Sequence, residues 1–267
     1  MSTPPLDFEH LPLELTQQLI GTTPHRILIG ESGVDVYRMQ GRHTPTRYLK
    51  IAGTHAPHEL HIERDRLVWL QGRLPVPEVL YFAEENERQY LLLSAVEGVD
   101  ASLIAEQSDP VQLVMTLADG LRQIHAIQIE DCPLQRQLDY MFVEAQKRVD
   151  QRLVDEDDFD DEWQGYTAQK LYDQLQIIRP RDEDLVFVHG DYCFPNVILQ
   201  PDTLVINGFI DWSRGGVADR YQDLALAVRS IGRNVGERWI APFYEAYGLE
   251  KVDARKIRFY QLLDEFF

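Results

Sequence analysis

Between residues 185 and 211 a chain of largely helical periodicity turns β-like, and this interruption constrains the fold more than any other feature. Leu185-Val186-Phe187-Val188 and Val197-Ile198-Leu199 are short apolar runs, and residues 204–210 form a third. Pro201-Asp202-Thr203, between the last two, is turn chemistry. The pattern predicts a hairpin that begins after Asn196 and ends at Asp211. His189-Gly190-Asp191 closes the preceding strand, and Asn196 follows Asp191 by five positions. The fold-back brings Asn196 next to Asp211, and an amide oxygen beside a carboxylate is a hard-oxygen site suited to magnesium. Asp191, upstream on the same loop, is placed to orient a nucleophilic hydroxyl. Phosphoryl transfer needs this layout: a metal to neutralise phosphate charge and a carboxylate to position the acceptor. Taken singly, His-Gly-Asp is also an ordinary turn and Asp211 a helix cap; the hairpin context favours the chemical reading.

The rest of the chain divides in two. Residues 27–29 run into Gly30-Glu31-Ser32-Gly33 and then Val34-Asp35-Val36-Tyr37, a strand, tight turn, strand pattern. Arg47-Tyr48-Leu49-Lys50-Ile51 predicts a third strand, residues 59–72 a helix ended by Gly72, and Tyr90-Leu91-Leu92-Leu93 a buried strand. After the polar break 94–98, Asp109-Pro110 caps a helix that keeps one face apolar to His125, and further helices are expected near 139–153, 167–178, 219–232, 238–247 and 253–265. The expectation is a strand-rich lobe over 1–97, a hinge near 94–98, and a mainly helical lobe over 98–267.

The first lobe adds its own candidates. Lys50 can reach the phosphates of a nucleotide, and Glu63 on the following helix can hold its ammonium, with Glu59 one turn earlier as the competing partner. Tyr48 either stacks on adenine or fills the core. Ser94 and Val96, after the buried strand, can offer backbone groups to the adenine edge. The Gly30–Gly33 turn is not the phosphate loop of P-loop enzymes, because no Gly-Lys-Ser/Thr follows. The Asp191-to-Asn196 spacing equals that of the protein-kinase catalytic loop, with Gly190 in place of its Arg. Asp211 takes the metal-Asp place, followed by Trp212-Ser213 rather than Phe-Gly.

Composition narrows the classes. The 267 residues carry 44 acidic and 26 basic side chains, a formal charge of −18, which argues against nucleic acid as a partner and for a cationic one. No apolar run is long enough for a membrane span, and Met1-Ser2-Thr3-Pro4-Pro5 lacks the regions of a signal peptide, so a cytoplasmic protein is expected. Cys132 and Cys193 make neither a disulfide framework nor a zinc site.

Leu74-Pro75-Val76-Pro77, Val188-His189-Gly190-Asp191 through Pro195-Asn196, Gly208-Phe209-Ile210-Asp211, Ala218-Asp219-Arg220-Tyr221-Gln222-Asp223 and the terminal Leu262-Leu263-Asp264-Glu265-Phe266-Phe267 together resemble the aminoglycoside 3′-phosphotransferase family, the neomycin-resistance type in particular. The resemblance implies an α+β, bilobal, protein-kinase-like fold and an ATP- and Mg2+-dependent kinase acting on the 3′-hydroxyl of aminoglycoside antibiotics, present as a monomer or weak homodimer. It implies Asp191 as the catalytic carboxylate, Asn196 and Asp211 as magnesium ligands, Lys50 and Glu63 as the phosphate-binding pair, Ser32 over the phosphates, and Ser94 and Val96 on adenine. For the antibiotic it implies Asp158, Asp160, Asp161 and Glu162 in an inserted acidic loop, Arg214, Arg229, Asp264, Glu265 and the α-carboxylate of Phe267. Seven of the eight residues 155–162 are acidic, which suits a polyammonium ligand as well as it suits a solvated loop. In Arg233 the chain departs from the family, which carries an acid there; Arg233 is expected either to face the antibiotic or to pair with Glu237. The alternatives are another small-molecule kinase of the same superfold, for choline, a fructosamine or a macrolide, and a non-catalytic pseudokinase; the latter is disfavoured because Lys50, Asp191, Asn196 and Asp211 are all present.

Overall fold

A computed structural model of the chain describes Leu6 and residues 8–27, 34–53 and 60–267. Ser32, with the whole Gly30–Gly33 turn, and Glu59 lie outside the described residues. The chain forms two compact units: Met1–Glu97 with Gly208–Ser213, and Gly98–Asn207 with Arg214–Phe267.

The first unit contains α1 (Leu13–Gln18), β1 (Thr23–Ile27), β2 (Asp35–Gln40), β3 (Arg47–Gly53), α2 (Leu60–Leu70), β4 (Val79–Glu85) and β5 (Arg88–Ser94). The strands make one antiparallel sheet in the order β1-β2-β3-β5-β4. Alternation on β3 decides which side chains are buried: Leu49 and Ile51 join Leu15, Leu19, Tyr37, Met39, Tyr90 and Leu92 in a core, while Tyr48 and Lys50 point the other way. β5 lies between β3 and β4, so its residues 89–93 are all buried. The sequence did not announce β4. Its hairpin to β5 turns at Asn86 and Glu87, both at positive φ, without the glycine that usually marks such a turn. β1 starts four residues before the expected strand at 27, and residues 28 and 29 of that expectation lie outside the described residues.

The second unit contains β6 (Val99–Asp100), α3 (Ala101–Ile104), α4 (Pro110–His125), α5 (Leu138–Asp150), α6 (Ala168–Ile177), β7 (Leu185–Val188), β8 (Val197–Leu199), β9 (Ile206–Phe209), β10 (Gly216–Asp219), α7 (Tyr221–Asn234), α8 (Ile240–Tyr247) and α9 (Ala254–Asp264). The last two residues of β9 pass into the first unit. Side chains cap the helices as local chemistry requires: Asp100, Asp109, Thr167 and Asp253 each accept from backbone N–H groups of the following turn. The helix expected from 219 begins instead at Tyr221, because residues 216–219 are drawn into the antiparallel pairing of β10 with β7. Nothing local to Gly216-Val217-Ala218-Asp219 signals that pairing. The mixed α+β architecture is the one expected. No helix among the described residues is long and apolar enough to cross a membrane.

Candidate active site

In the first unit, strand β3 presents Lys50 to helix α2. The Lys50 ammonium donates to both Glu63 oxygens at 2.8 Å and to Asp211 Oδ1 at 3.2 Å. Glu63 is 2% exposed and also accepts from the Trp212 backbone N–H, so the acceptor of the lysine is itself held in place. Burial acts to lower the Lys50 pKa, but Asp211 and Glu63 outweigh it and hold the ammonium above the usual lysine range. Burial pushes the Glu63 carboxyl up, and Lys50 opposes that shift.

Asp211 itself adopts a left-handed backbone, φ 63°, a conformation that costs a non-glycine residue energy and needs support from its surroundings. The neighbours supply it. The Trp212 ring is fully buried, with its indole N–H on Phe209 O at 3.0 Å, and Phe209 N–H donates to Pro75 O at 2.9 Å. A Cβ on Gly208 would stand 2.7 Å from that same Pro75 oxygen, which explains the glycine.

Tyr48 is half-buried, on the same face of β3 as Lys50. Ser94 donates its N–H to Glu78 O, and its hydroxyl accepts from Glu78 N–H; Val96 follows after Ala95, whose N–H donates to Thr46 O.

In the second unit Asp191 follows β7. Asn196 Nδ2 donates to both the backbone carbonyl and Oδ2 of Asp191 at 2.9 Å. Both partners are acceptors, which assigns the amide orientation and turns Asn196 Oδ1 away as the atom able to hold a cation. The loop is pinned from below. Buried Asp223 accepts from His189 N–H at 2.7 Å and Gly190 N–H at 2.8 Å, Ser230 Oγ accepts from Phe194 N–H at 3.0 Å, and Tyr192 OH donates to Leu117 O at 2.7 Å. Gly190 has φ 84°, and a Cβ there would meet Arg214 O at 2.1 Å, so no other residue fits. Asp223 is readable from the sequence as a loop anchor, whereas Ser230 carries no local signal of its role.

A second cluster of the same unit gathers charges from four elements. Arg229 of α7 bonds Asp160 Oδ2 at 3.2 Å, Glu265 Oε1 at 3.4 Å and, closely, Asp264. Arg214 bonds Asp264 Oδ1 at 2.7 Å, and Asp160 N–H donates to Glu265 Oε2 at 2.9 Å. Burial pushes the Glu265 carboxyl up to about 7, reinforced by Asp160 and Asp264 and opposed by Arg229 and the Asp160 N–H. Arg233 corrects an expectation: its guanidinium bonds Asp160 rather than Glu237. Of the acidic run, only Asp160 enters this cluster. Glu162 pairs with Arg258 of α9, and Asp158 and Asp161 stand exposed. The Phe267 ring lies about 6 Å from the guanidinium carbons of Arg136, Arg148 and Arg214, and Arg148 Nε donates to Phe266 O. No local signal marks Arg136 or Arg148 as supports for the chain end, since their roles are purely long-range.

A lysine held by a buried glutamate, and a carboxylate loop fixed to the helix behind it, are the parts of an enzyme that moves phosphoryl groups. The sequence model of the phosphotransferase enzyme family matches residues 26–260, and the chain belongs to that family. An aminoglycoside 3′-phosphotransferase of Niallia circulans is 43% identical over 252 residues, covering 94% of this chain and 95% of that protein. Among solved structures, an aminoglycoside-3′-phosphotransferase of type VIII superposes with a TM-score of 0.86 at 34% identity, covering 95% of this chain and 97% of its own. An aminoglycoside phosphotransferase, APH(3″)-Id, from Streptomyces rimosus, in complex with ADP and streptomycin, gives a TM-score of 0.76 at 31% identity, covering 89% and 93%.

Proposed function

We propose that the protein transfers the γ-phosphoryl group of ATP to the 3′-hydroxyl of aminoglycoside antibiotics and so confers resistance to them. The observation that carries the reading is the Asp191 loop, its carboxylate held by Asn196 and its backbone by Asp223, in a chain 43% identical to a 3′-phosphotransferase. ATP as donor points to the cytoplasm as the place of action.

In this reading Lys50, kept cationic by Glu63 and Asp211, holds the nucleotide phosphates. Ser94 and Val96 present backbone groups to adenine beside Tyr48, and Ser32 covers the phosphates. Asn196 Oδ1 and the Asp211 carboxylate each offer the hard oxygen that Mg2+ takes, and Mg2+ when bound would neutralise charge on the transferring phosphoryl group. Asp191 orients the antibiotic hydroxyl and takes up its proton as the new P–O bond forms. Asp160, Asp264, Glu265 and the Phe267 carboxylate receive ammonium groups, with Arg214 and Arg229 setting the positions of those acids. Asp158, Asp161 and Glu162, at the surface, draw the polycation in, helped by the chain's charge of −18.

The test is ADP release with a panel of acceptors. Kanamycin and neamine should be turned over, and tobramycin, which lacks the 3′-hydroxyl, should not. Turnover of streptomycin in preference to kanamycin would overturn the 3′ assignment. Asp191→Ala should remain folded and lose roughly a hundredfold or more in kcat.

A further inference from the structure

Asp223 is fully buried, and a buried carboxylate is stable only when its oxygens are supplied with donors. Two donors are the loop amides of His189 and Gly190. The third comes from outside the loop: His125 Nε2, at the C-terminal end of α4, lies 3.1 Å from Asp223 Oδ2, the oxygen that also accepts from His189 N–H. The other ring nitrogen, Nδ1, lies 2.7 Å from the hydroxyl of Tyr247 on α8, and Arg220 Nη1 donates to that same hydroxyl at 3.1 Å. Arg220 is in turn paired with Asp184.

The roles along this chain follow from what each group can do. A guanidinium only donates and a carboxylate only accepts. Tyr247 therefore accepts from Arg220 and gives its own proton to His125 Nδ1, which fixes the proton of a neutral imidazole on Nε2, facing Asp223. Every hydrogen bond then runs one way, from Arg220 through Tyr247 and His125 to Asp223, whose two oxygens meet the loop. Any other placement leaves the phenol proton without an acceptor or sets an imidazole lone pair against the carboxylate. The Tyr247 ring also packs edge-on to the imidazole, with centroids 5.7 Å apart.

We propose that His125, with its tautomer set by Tyr247, is a positioning residue for the catalytic loop: it fixes the Asp223 carboxylate that holds the His189 and Gly190 amides, and through them the place of Asp191. This rests on the reading of Asp191 as the catalytic carboxylate. The relay touches neither nucleotide nor acceptor residues, so its effect falls on turnover and not on substrate affinity. A misplacement of about 1 Å at a reacting group costs about a hundredfold in rate, so the smaller shift allowed by losing one hydrogen bond behind the loop should cost about tenfold.

The experiment compares His125→Leu, His125→Gln, Tyr247→Phe and Asp191→Ala in the full chain, by steady-state ADP release with ATP and kanamycin and by amide hydrogen exchange. Expected for His125→Leu are about a tenfold loss of kcat, KM values for both substrates within about twofold of wild type, and faster exchange at the His189 and Gly190 amides. His125→Gln, whose amide can donate to Asp223, should recover most of the kcat and the protection; Tyr247→Phe should lose a few-fold in kcat with little change in Tm. Unchanged exchange at His189 and Gly190 in His125→Leu, an equal loss in His125→Gln, or a rise of both KM values in step with the fall in kcat would each overturn the proposal. Full activity in Asp191→Ala would overturn the catalytic reading instead, and the amide exchange would still decide the relay.

Discussion

Lys50 sets its ammonium 2.8 Å from each oxygen of Glu63, a carboxylate that is almost wholly buried. Breaking such a pair from one side is costlier than lacking it altogether, because the remaining charge stays in low dielectric. Lys50→Met should therefore lower stability by about 3 kcal/mol at pH 8. Without its cation, Glu63 is pushed further above the usual carboxylate range. Its penalty is present while it is ionised and fades as falling pH protonates it, so the gap to wild type should narrow toward pH 5. Denaturant unfolding at the two pH values checks this, and a gap of equal size at both would contradict the buried charge. Activity should be lost in either case.

Gly190→Ala should damage the loop more than any surface substitution. Its φ of 84° strains a residue with a side chain, and the added methyl would collide with Arg214 O, a backbone atom that cannot swing aside. The outcome expected is a kcat loss of more than about tenfold together with a lower Tm. Wild-type kinetics would show that the backbone there relaxes freely.

Much of this loop was legible beforehand. Asp191, Asn196 and Asp211 stand out as candidates because a short strand, a turn and a hairpin leave local marks, and Asp223 because it follows within a recognisable motif. Lys50 and Glu63 follow in order along the chain, although only packing shows that Glu63 takes the lysine. What stayed hidden had no local mark. β10 is a strand only because β7 lies beside it, β4 turns without glycine, and the arginine partners of Asp160, Asp264 and Glu265 come from 35 to 73 positions away along the chain. An acidic run shows its charge but not which of its members will be neutralised.

Glu265 gives a pH signature. Burial raises its carboxyl from 4.5 to about 7. Below pH 4.5 it is protonated in both folded and unfolded chains; between 4.5 and 7 the unfolded chain ionises first, so rising pH favours unfolding; above 7 the loss is complete. Glu265→Gln, which cannot ionise and can still accept from Asp160 N–H, removes that loss. Its Tm should gain on wild type as the pH is raised from 4.5 to 7 and hold a constant lead beyond. A difference that does not vary with pH would show that folding leaves the Glu265 carboxyl unshifted.

Arg233 is the residue through which this chain should differ from its relatives in choice of antibiotic. Its guanidinium holds Asp160, which Arg229 holds as well, so a carboxylate that could receive an ammonium group already carries two cations. The Arg233 side chain is 63% exposed, and an ion pair that open to water is worth no more than about 1 kcal/mol. A ligand amine can therefore displace it, but must spend part of its own attraction in doing so and then meet a repulsive guanidinium nearby. Replacing the arginine by an acid removes both penalties and adds a favourable charge, an effect of about 1–3 kcal/mol if the site is partly closed to solvent. In the proposed binding mode the effect falls on three-ring antibiotics, whose outer ring would meet this region, and spares the two-ring core, which the terminal acids would hold. Arg233→Glu should lower the KM for kanamycin several-fold and leave that for neamine nearly unchanged, with little loss of Tm because the original pair is so exposed. Arg233→Ala should fall between the two. Equal shifts for both antibiotics, or none for kanamycin, would place Arg233 and its hold on Asp160 outside the antibiotic site.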